Sequence, residues 1–352
     1  MNILEKVRKN IQVLKPYSSA RDEFSGTARV LLDANENAFG SAEKGNWNRY
    51  PDPYQRLLKE KISVIKNVSV EQIFLGNGSD EAIDLFIRAF CEPGQDSIVL
   101  HEPTYGMFRV AADIHDVKVK SFLLNNDFSL DAEKALNAAD ETTKIIIICS
   151  PNNPSANAFD HEQILKVVKN FDGIVMVDEA YIDFCPEKSI LHQLNNYENL
   201  VVINTFSKAW GLAGLRLGMA FAHSEIIKVL NKIKYPYNIS DVTKQLAINA
   251  IERIEVMHSM VESILRQREK LVNALSQISI VKEVFHSDTN FLLVRFEKTQ
   301  ELFKYLRDHG IIVRDRSKQP LCEGCLRITV GTSQENELLI TAIKDFNHNK
   351  NR

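Results

Sequence analysis

The sequence predicts an α/β protein with a large domain on a mostly parallel seven-stranded sheet and a smaller α+β domain. Two observations carry this. From about residue 70 to residue 235, short aliphatic runs alternate with stretches whose apolar residues recur three or four apart, as βα units feeding a parallel sheet require. After Ile239 a long helical region gives way to short strands interleaved with helices, the texture of a second lobe. A chain of 352 residues is long enough for two domains, at about 150 residues each.

Taken in order, the expected strands cover residues 72–75, 97–100, 117–124, 144–149, 173–177, 200–204 and 215–222. Helices are expected between several of them, over 80–90 and 161–171, where the apolar spacing is helical. One long helix is expected over 241–277, then a strand at 291–296, a helix at 301–309, strands at 311–314 and 326–330, and a final helix. These elements divide the chain into an N-terminal segment, 1–45, expected to pack on the small domain, a large domain, 46–245, and a small domain, 246–352. No Gly/Ser linker marks the seam near residue 240, and no repeat or low-complexity tract appears.

Composition excludes several classes of function. The chain is 44% hydrophobic and 25% charged, as globular proteins are. Its 43 basic residues are matched by 46 acidic ones, a net charge of −3, so no general field favours nucleic acid or acidic lipid, and any anion must be held locally. Glu5, Lys6, Arg8 and Lys9 stand where a secretory signal needs apolar residues, and the longest aliphatic run, 145–148, is far too short to cross a membrane. The five cysteines, Cys91, Cys149, Cys185, Cys322 and Cys325, are too scattered for a disulfide framework, so a cytoplasmic setting is expected. Cys322 and Cys325 have the spacing of half a zinc site, but no second pair follows, and no metal is expected.

In open α/β sheets ligands bind beyond the carboxyl ends of the strands, so polar residues immediately after each strand carry the functional signal. Gly76-Asn77-Gly78-Ser79-Asp80-Glu81 follows the first strand and opens a helix. Free N–H groups and the helix dipole suit a phosphate there. Standing alone, the same residues read first as a plain helix start capped by Ser79 or Asp80. The segment lacks the third glycine of a dinucleotide fingerprint and the lysine of a P-loop. Asp178 ends an aliphatic strand, where a carboxylate needs a cation or a donor: a pyridinium nitrogen, a Mg²⁺ ion or a helix start would each serve. Lys208 follows the next strand, flanked by Ser207 and Trp210. Partial burial there would lower its pKa and suit Schiff-base chemistry, whereas a lone lysine is ordinarily a solvated charge. The set decides between these readings: an aspartate at one strand end, a lysine thirty residues later at the next, hydroxyls at Thr205 and Ser207, and Arg216 eight residues after the lysine. Together they supply every group that pyridoxal 5′-phosphate needs.

The segment TFSKAWGLAGLRLG resembles the lysine segment of the fold-type-I, class II aminotransferases, which use pyridoxal phosphate. The order of blocks, YPDPY, GNGSDE, PTYGMF, SPNNPSA, VDEAYIDF, TFSKAWGLAGLRLG and RITVGT, is most similar to the branch of that family that acts on histidinol phosphate. The likeness runs from Pro16 to Thr332. It implies that Lys208 holds the cofactor as a Schiff base and shuttles the proton, and that Asp178 holds the pyridine nitrogen. It further implies that Asn153 and Tyr181 donate to the phenolic oxygen and that Tyr105 stacks on the ring; the alternative for Tyr105 is an ordinary aromatic at a helix start. The phosphate would lie against the amides of Ser79 and Asp80, the Ser207 hydroxyl and the Arg216 guanidinium. Tyr50 would reach the same phosphate in a neighbouring subunit, which implies a homodimer.

For the substrate, the resemblance places Arg327 where relatives pair an arginine with a carboxylate, and Arg314 offers a second guanidinium. With Tyr17 these would clamp the phosphate of histidinol phosphate, while 2-oxoglutarate, the partner of glutamate, would use the same arginines. Arg316 could stand in for Arg314, and each arginine is also an ordinary surface ion-pair residue. The same blocks are compatible with a decarboxylase of threonine phosphate or with an aromatic aminotransferase. A ligand-sensing domain of a transcription regulator would need a basic DNA-binding module, which the forty residues before YPDPY do not supply.

Overall fold

The computed structural model describes residues 3–17 and 29–349. The large lobe is built on strands β1 (Ile73–Asn77), β2 (Ser97–Glu102), β3 (Lys118–Leu123), β4 (Thr143–Cys149), β5 (Ile174–Asp178), β6 (Leu200–Thr205) and β7 (Leu217–Phe221). Their order is β1-β7-β6-β5-β4-β2-β3. The pairs among β2 to β6 are parallel, and β7 is antiparallel to both β1 and β6. The central strands are apolar without interruption because both faces are covered. Alternate residues serve opposite cores: Ile146, Ile148, Val175, Val177 and Val202 pack into one, while Ile145, Ile147, Ile174, Met176 and Ile203 pack into the other. Each such side chain contributes about 1.5–3 kcal/mol by leaving water.

Helices Arg56–Lys66, Ser79–Phe90, Met107–Ile114, Ala132–Asn137, His161–Asn170 and Ser224–Ile233 accompany the sheet. Asp131 and Asp160 cap two of them by accepting the N–H groups of Glu133 and Glu162. The single helix expected over 241–277 is two, Asp241–Ile251 and Ile254–Leu275. Arg253 leaves the helical region at φ −122°, ψ 39°, and no proline or glycine there announces the break.

The small lobe carries β8 (Val281–Val284), β9 (Phe291–Phe296), β10 (Arg314–Asp315) and β11 (Cys325–Thr329) in an antiparallel sheet of order β10-β11-β9-β8. Helices Thr299–Asp308 and Ser333–Asn349 belong to the same lobe, and Leu302, Leu306, Leu339 and Ile343 share one core with β9 and β11.

Residues 3–12 correct the expected place of the N-terminal segment, for they pack on the large lobe. Ile3, Val7 and Ile11 form a stripe four residues apart that joins the core containing Phe90, Ile226 and Leu230. Arg8 N–H donates to Ala89 O at 2.9 Å, the Arg8 guanidinium pairs with Glu92 at 3.1 Å, and Lys232 Nζ donates to Ile11 O at 2.6 Å.

Candidate active site

The carboxyl ends of the strands meet one cleft with about 540 Å³ of empty space, part of it open to solvent. At the end of β1, Gly78 turns the chain at φ +81° into helix Ser79–Phe90, a conformation that side chains rarely adopt. Ser79 and Asp80 line the cleft at the start of that helix, where the first N–H groups have no intrahelical acceptor. Gly218 on β7 lies directly behind them, so close that a Cβ there would fall 2.1 Å from Ser79 N. Glu81 turns away, accepting the Asn77 N–H and, at 3.1 Å, the Asn238 side-chain amide.

After β2, Tyr105 faces the cleft with its O–H 3.4 Å from Asp80 Oδ1 and its ring edge-on to Phe108 at 5.5 Å. Burial pushes its phenol up to about 12, with Asp80 and Asp178 adding to the shift. After β4, the buried Asn152 donates to Pro103 O (3.1 Å) and Ser155 Oγ (2.8 Å), which fixes the turn carrying Asn153. Asn153 Oδ1 accepts from Arg327 Nη1 at 2.6 Å, a bond that joins the two lobes.

Asp178, the last residue of β5, is 3% exposed and accepts one N–H, from Ala180 at 3.0 Å. Burial pushes its carboxyl up to about 7. Among the described residues it forms no ion pair, so a buried acid stands in the cleft with Lys208 acting on it only from a distance. Its neighbour Glu179 points elsewhere, bonded to Ser189 Oγ (2.7 Å) and the Ile190 N–H (2.6 Å). Tyr181 is buried edge-on to Phe291 at 5.1 Å, and burial raises its pKa.

At the end of β6, Thr205 Oγ1 lies 3.0 Å from Ser207 Oγ and 3.2 Å from Leu217 O and accepts the Ser207 N–H at 3.1 Å, which sets the turn into Lys208. Lys208 Nζ sits 5.4 Å from the centroid of the Tyr181 ring. The lysine keeps access to solvent through the cleft mouth, yet the walls remove enough water to lower its pKa. Arg327 lowers it further, and Asp178 and Asp80 oppose the shift. Arg216, at φ +49°, places Nη2 3.5 Å from Asp80 Oδ2.

The structure thus gathers Ser79, Asp80, Tyr105, Asn153, Asp178, Tyr181, Ser207, Lys208 and Arg216 around one cleft, with Arg327 bonded to its wall. Arg314 is the direct cross-strand partner of Arg327, and Arg316 follows on the next turn. Among the described residues none of the three arginines pairs with a carboxylate, and the buried Nε of Arg316 has no acceptor. Like charges opposed across a ladder destabilise it, so this cluster suits an anion. Tyr17, Tyr50 and Arg314 do not line the cleft of a single chain: Tyr17 is 73% exposed, and Tyr50 stacks on Tyr237 at 4.4 Å. Sequence reasoning missed Cys149, which lines the cleft because strand register sets it beside Asp178, a pairing no local signal reports.

Comparison with known proteins fits this geometry. The profile of the family described as aminotransferase class I and II matches residues 20–343. The chain belongs to that family. A histidinol-phosphate aminotransferase of Parabacteroides distasonis is 52% identical over 345 residues, 98% of this chain and 99% of that one. The solved structure of histidinol-phosphate aminotransferase from Clostridium acetobutylicum matches with a TM-score of 0.80 at 26% identity, over 86% of this chain and 92% of that one. The histidinol-phosphate aminotransferase of Sinorhizobium meliloti, solved in complex with pyridoxal-5′-phosphate, shares the fold at a TM-score of 0.80 and 23% identity, over 90% of each chain. The seven-stranded sheet with a smaller lobe is therefore the family's fold, and the chain is an aminotransferase.

Proposed function

We propose that the chain transfers an amino group between histidinol phosphate and 2-oxoglutarate, with pyridoxal phosphate in the cleft, as a step of histidine biosynthesis. The buried carboxylate of Asp178, outside any ion pair among the described residues and in one cleft with Lys208, carries the cofactor reading; full-length relatives of about half identity, named for histidinol phosphate, support the substrate. When bound, the cofactor supplies a conjugated ring that takes up the electron pair left when the substrate carbon loses its proton.

The chain's own residues do the rest. Asp178 pairs with the ring nitrogen, and that cation offsets the burial that otherwise favours the protonated acid. Asn153 gives its Oδ1 to Arg327, which leaves Nδ2 as a donor for the phenolic oxygen beside the Tyr181 hydroxyl. Tyr105 stacks against the ring, and Ser79, Asp80, Ser207 and Arg216 cradle the phosphate. Lys208 Nζ is the amine that bonds the cofactor and then carries the proton; its lowered pKa raises the share of neutral amine at a given pH.

The clustered arginines, Arg327 with Arg314 or Arg316, take the substrate phosphate together with Tyr17, and in the other half-reaction they take a carboxylate of 2-oxoglutarate. Tyr50 reaches the cofactor phosphate of a second copy; its exposure outside its own cleft and the exposed Leu246, Val256 and Met260 support a homodimer. Among the described residues no helix is long and apolar enough to cross a membrane. The five free buried cysteines support a cytoplasmic enzyme.

Offering the protein histidinol phosphate, threonine phosphate and phenylalanine in parallel, each with 2-oxoglutarate, tests the reading. Glutamate should form fastest with histidinol phosphate and not at all in the Lys208→Ala variant. Release of CO₂ from threonine phosphate without glutamate, or full activity of that variant, would overturn it.

A further inference from the structure

We propose that Lys66, Asp183 and Trp210 form a positioning relay that holds the Lys208 amine over the cleft. The proposal rests on the reading of Lys208 as the residue that bonds the cofactor.

Lys208 stands in a tight turn in which Gly211 N–H donates to Lys208 O at 3.0 Å and Leu212 N–H donates to Phe206 O at 3.1 Å, with Gly211 at φ +66°. Inside that turn Trp210 is 5% exposed and packs on Phe206 at 4.9 Å between ring centroids. Its indole N–H donates to Asp183 Oδ2 at 3.2 Å. The other oxygen of Asp183 accepts from Lys66 Nζ at 2.8 Å, and the two charged side chains are only 14% and 13% exposed. Asp183 lies in the 3₁₀ turn Ile182–Phe184, which continues the segment carrying Asp178 and Tyr181, and Lys66 is the last residue of helix Arg56–Lys66.

The relay therefore fastens the backbone that carries the amine to the segment that carries the carboxylate. Register between β5 and β6 fixes the two strands but ends at Asp178 and Ile203, five residues short of Lys208. Beyond it the side chain's aim depends on the turn, and the indole N–H is the turn's side-chain hydrogen bond to the Asp178 segment. A neutral donor on a half-buried carboxylate already engaged by an ammonium is charge-assisted and directional. Trp210→Phe keeps the ring packing and deletes the donor. Asp183→Asn keeps the shape and removes the charge that Lys66 needs.

The test uses the cofactor-free full chain and two readouts. One is the rate at which Lys208 captures pyridoxal phosphate, trapped by borohydride and located by mass. The other is the equilibrium affinity for pyridoxine 5′-phosphate, which fills the same cradle but has no aldehyde to react. Each variant should slow capture on the order of 10-fold or more, with pyridoxine phosphate affinity held within about twofold. The double variant should be no slower than the slower single one, since both act on the same link, one deleting its donor and the other the charge that strengthens it. Unchanged capture, multiplicative effects of the two substitutions, or a parallel loss of pyridoxine phosphate affinity would each overturn the relay. Failure of the unsubstituted protein to capture at Lys208 would instead overturn the reading beneath it.

Discussion

Replacing Gly218 by alanine should separate the phosphate cradle from the rest of the site. Gly218 pairs with Gly76 across β7 and β1, and helix Ser79–Phe90 begins against its Cα. A Cβ built there falls 2.1 Å from Ser79 N, 2.4 Å from Gly78 C and 2.7 Å from Ser79 Cα. Non-bonded heavy atoms settle at about 3.5–4 Å, so the helix start or the strand must retreat by more than about 1 Å. All three obstacles are backbone, and no rotamer change relieves them. Overpacking of this kind costs about 1–3 kcal/mol, and a displacement near 1 Å at a binding cradle costs on the order of 100-fold in turnover. Gly214→Ala is the control, since a Cβ there meets nothing within 4 Å. Calorimetric melting and cofactor titration of both variants check the argument. Equal Tm and equal cofactor affinity for the two would refute the claim that the Gly218 contact sets the helix start.

Other outcomes are expected from the same geometry. Arg327→Ala should raise KM for histidinol phosphate by about 10- to 100-fold, as loss of a charged hydrogen bond does, with cofactor affinity nearly unchanged; equal losses in both would mark a structural arginine. Arg314→Ala should cost less, about 3- to 10-fold in KM, because an exposed guanidinium is screened; an effect equal to that of Arg327 would contradict this order. Asp178→Asn should stabilise the cofactor-free protein more at pH 8 than at pH 5 while weakening cofactor binding. The sign follows from burial: the folded carboxyl titrates near 7, above its unfolded value, so its contribution is fullest at low pH and is lost as pH rises through about 7. A Tm difference that is the same at both pH values would show that the acid is not shifted.

The strands were legible because their signal is local: β4 and β5 are rich in β-branched residues, and each ends in a residue that lines the cleft. The cleft residues were legible for the same reason, since Asp178, Lys208 and Arg216 sit where strands hand over to loops. What escaped depends on neighbours. β8, Val281–Val284, has no apolar run and becomes a strand by pairing with β9. The break at Arg253 has no local breaker, and the stripe of Ile3, Val7 and Ile11 does not name its receiving surface. The hydrogen bond of Trp210 also escaped, because it runs to Asp183, twenty-seven residues away in the chain.

The 2.6 Å bond between Arg327 and Asn153 has a thermodynamic consequence. A long side chain in solution samples many rotamers, and a ligand that seizes it must halt that motion, at about 0.5–1.5 kcal/mol. Here folding has already stilled the arginine, through Asn153 and the face of Phe291 5.4 Å below it. One N–H of the guanidinium is engaged, and the remaining donors meet an arriving anion with their directions set beforehand.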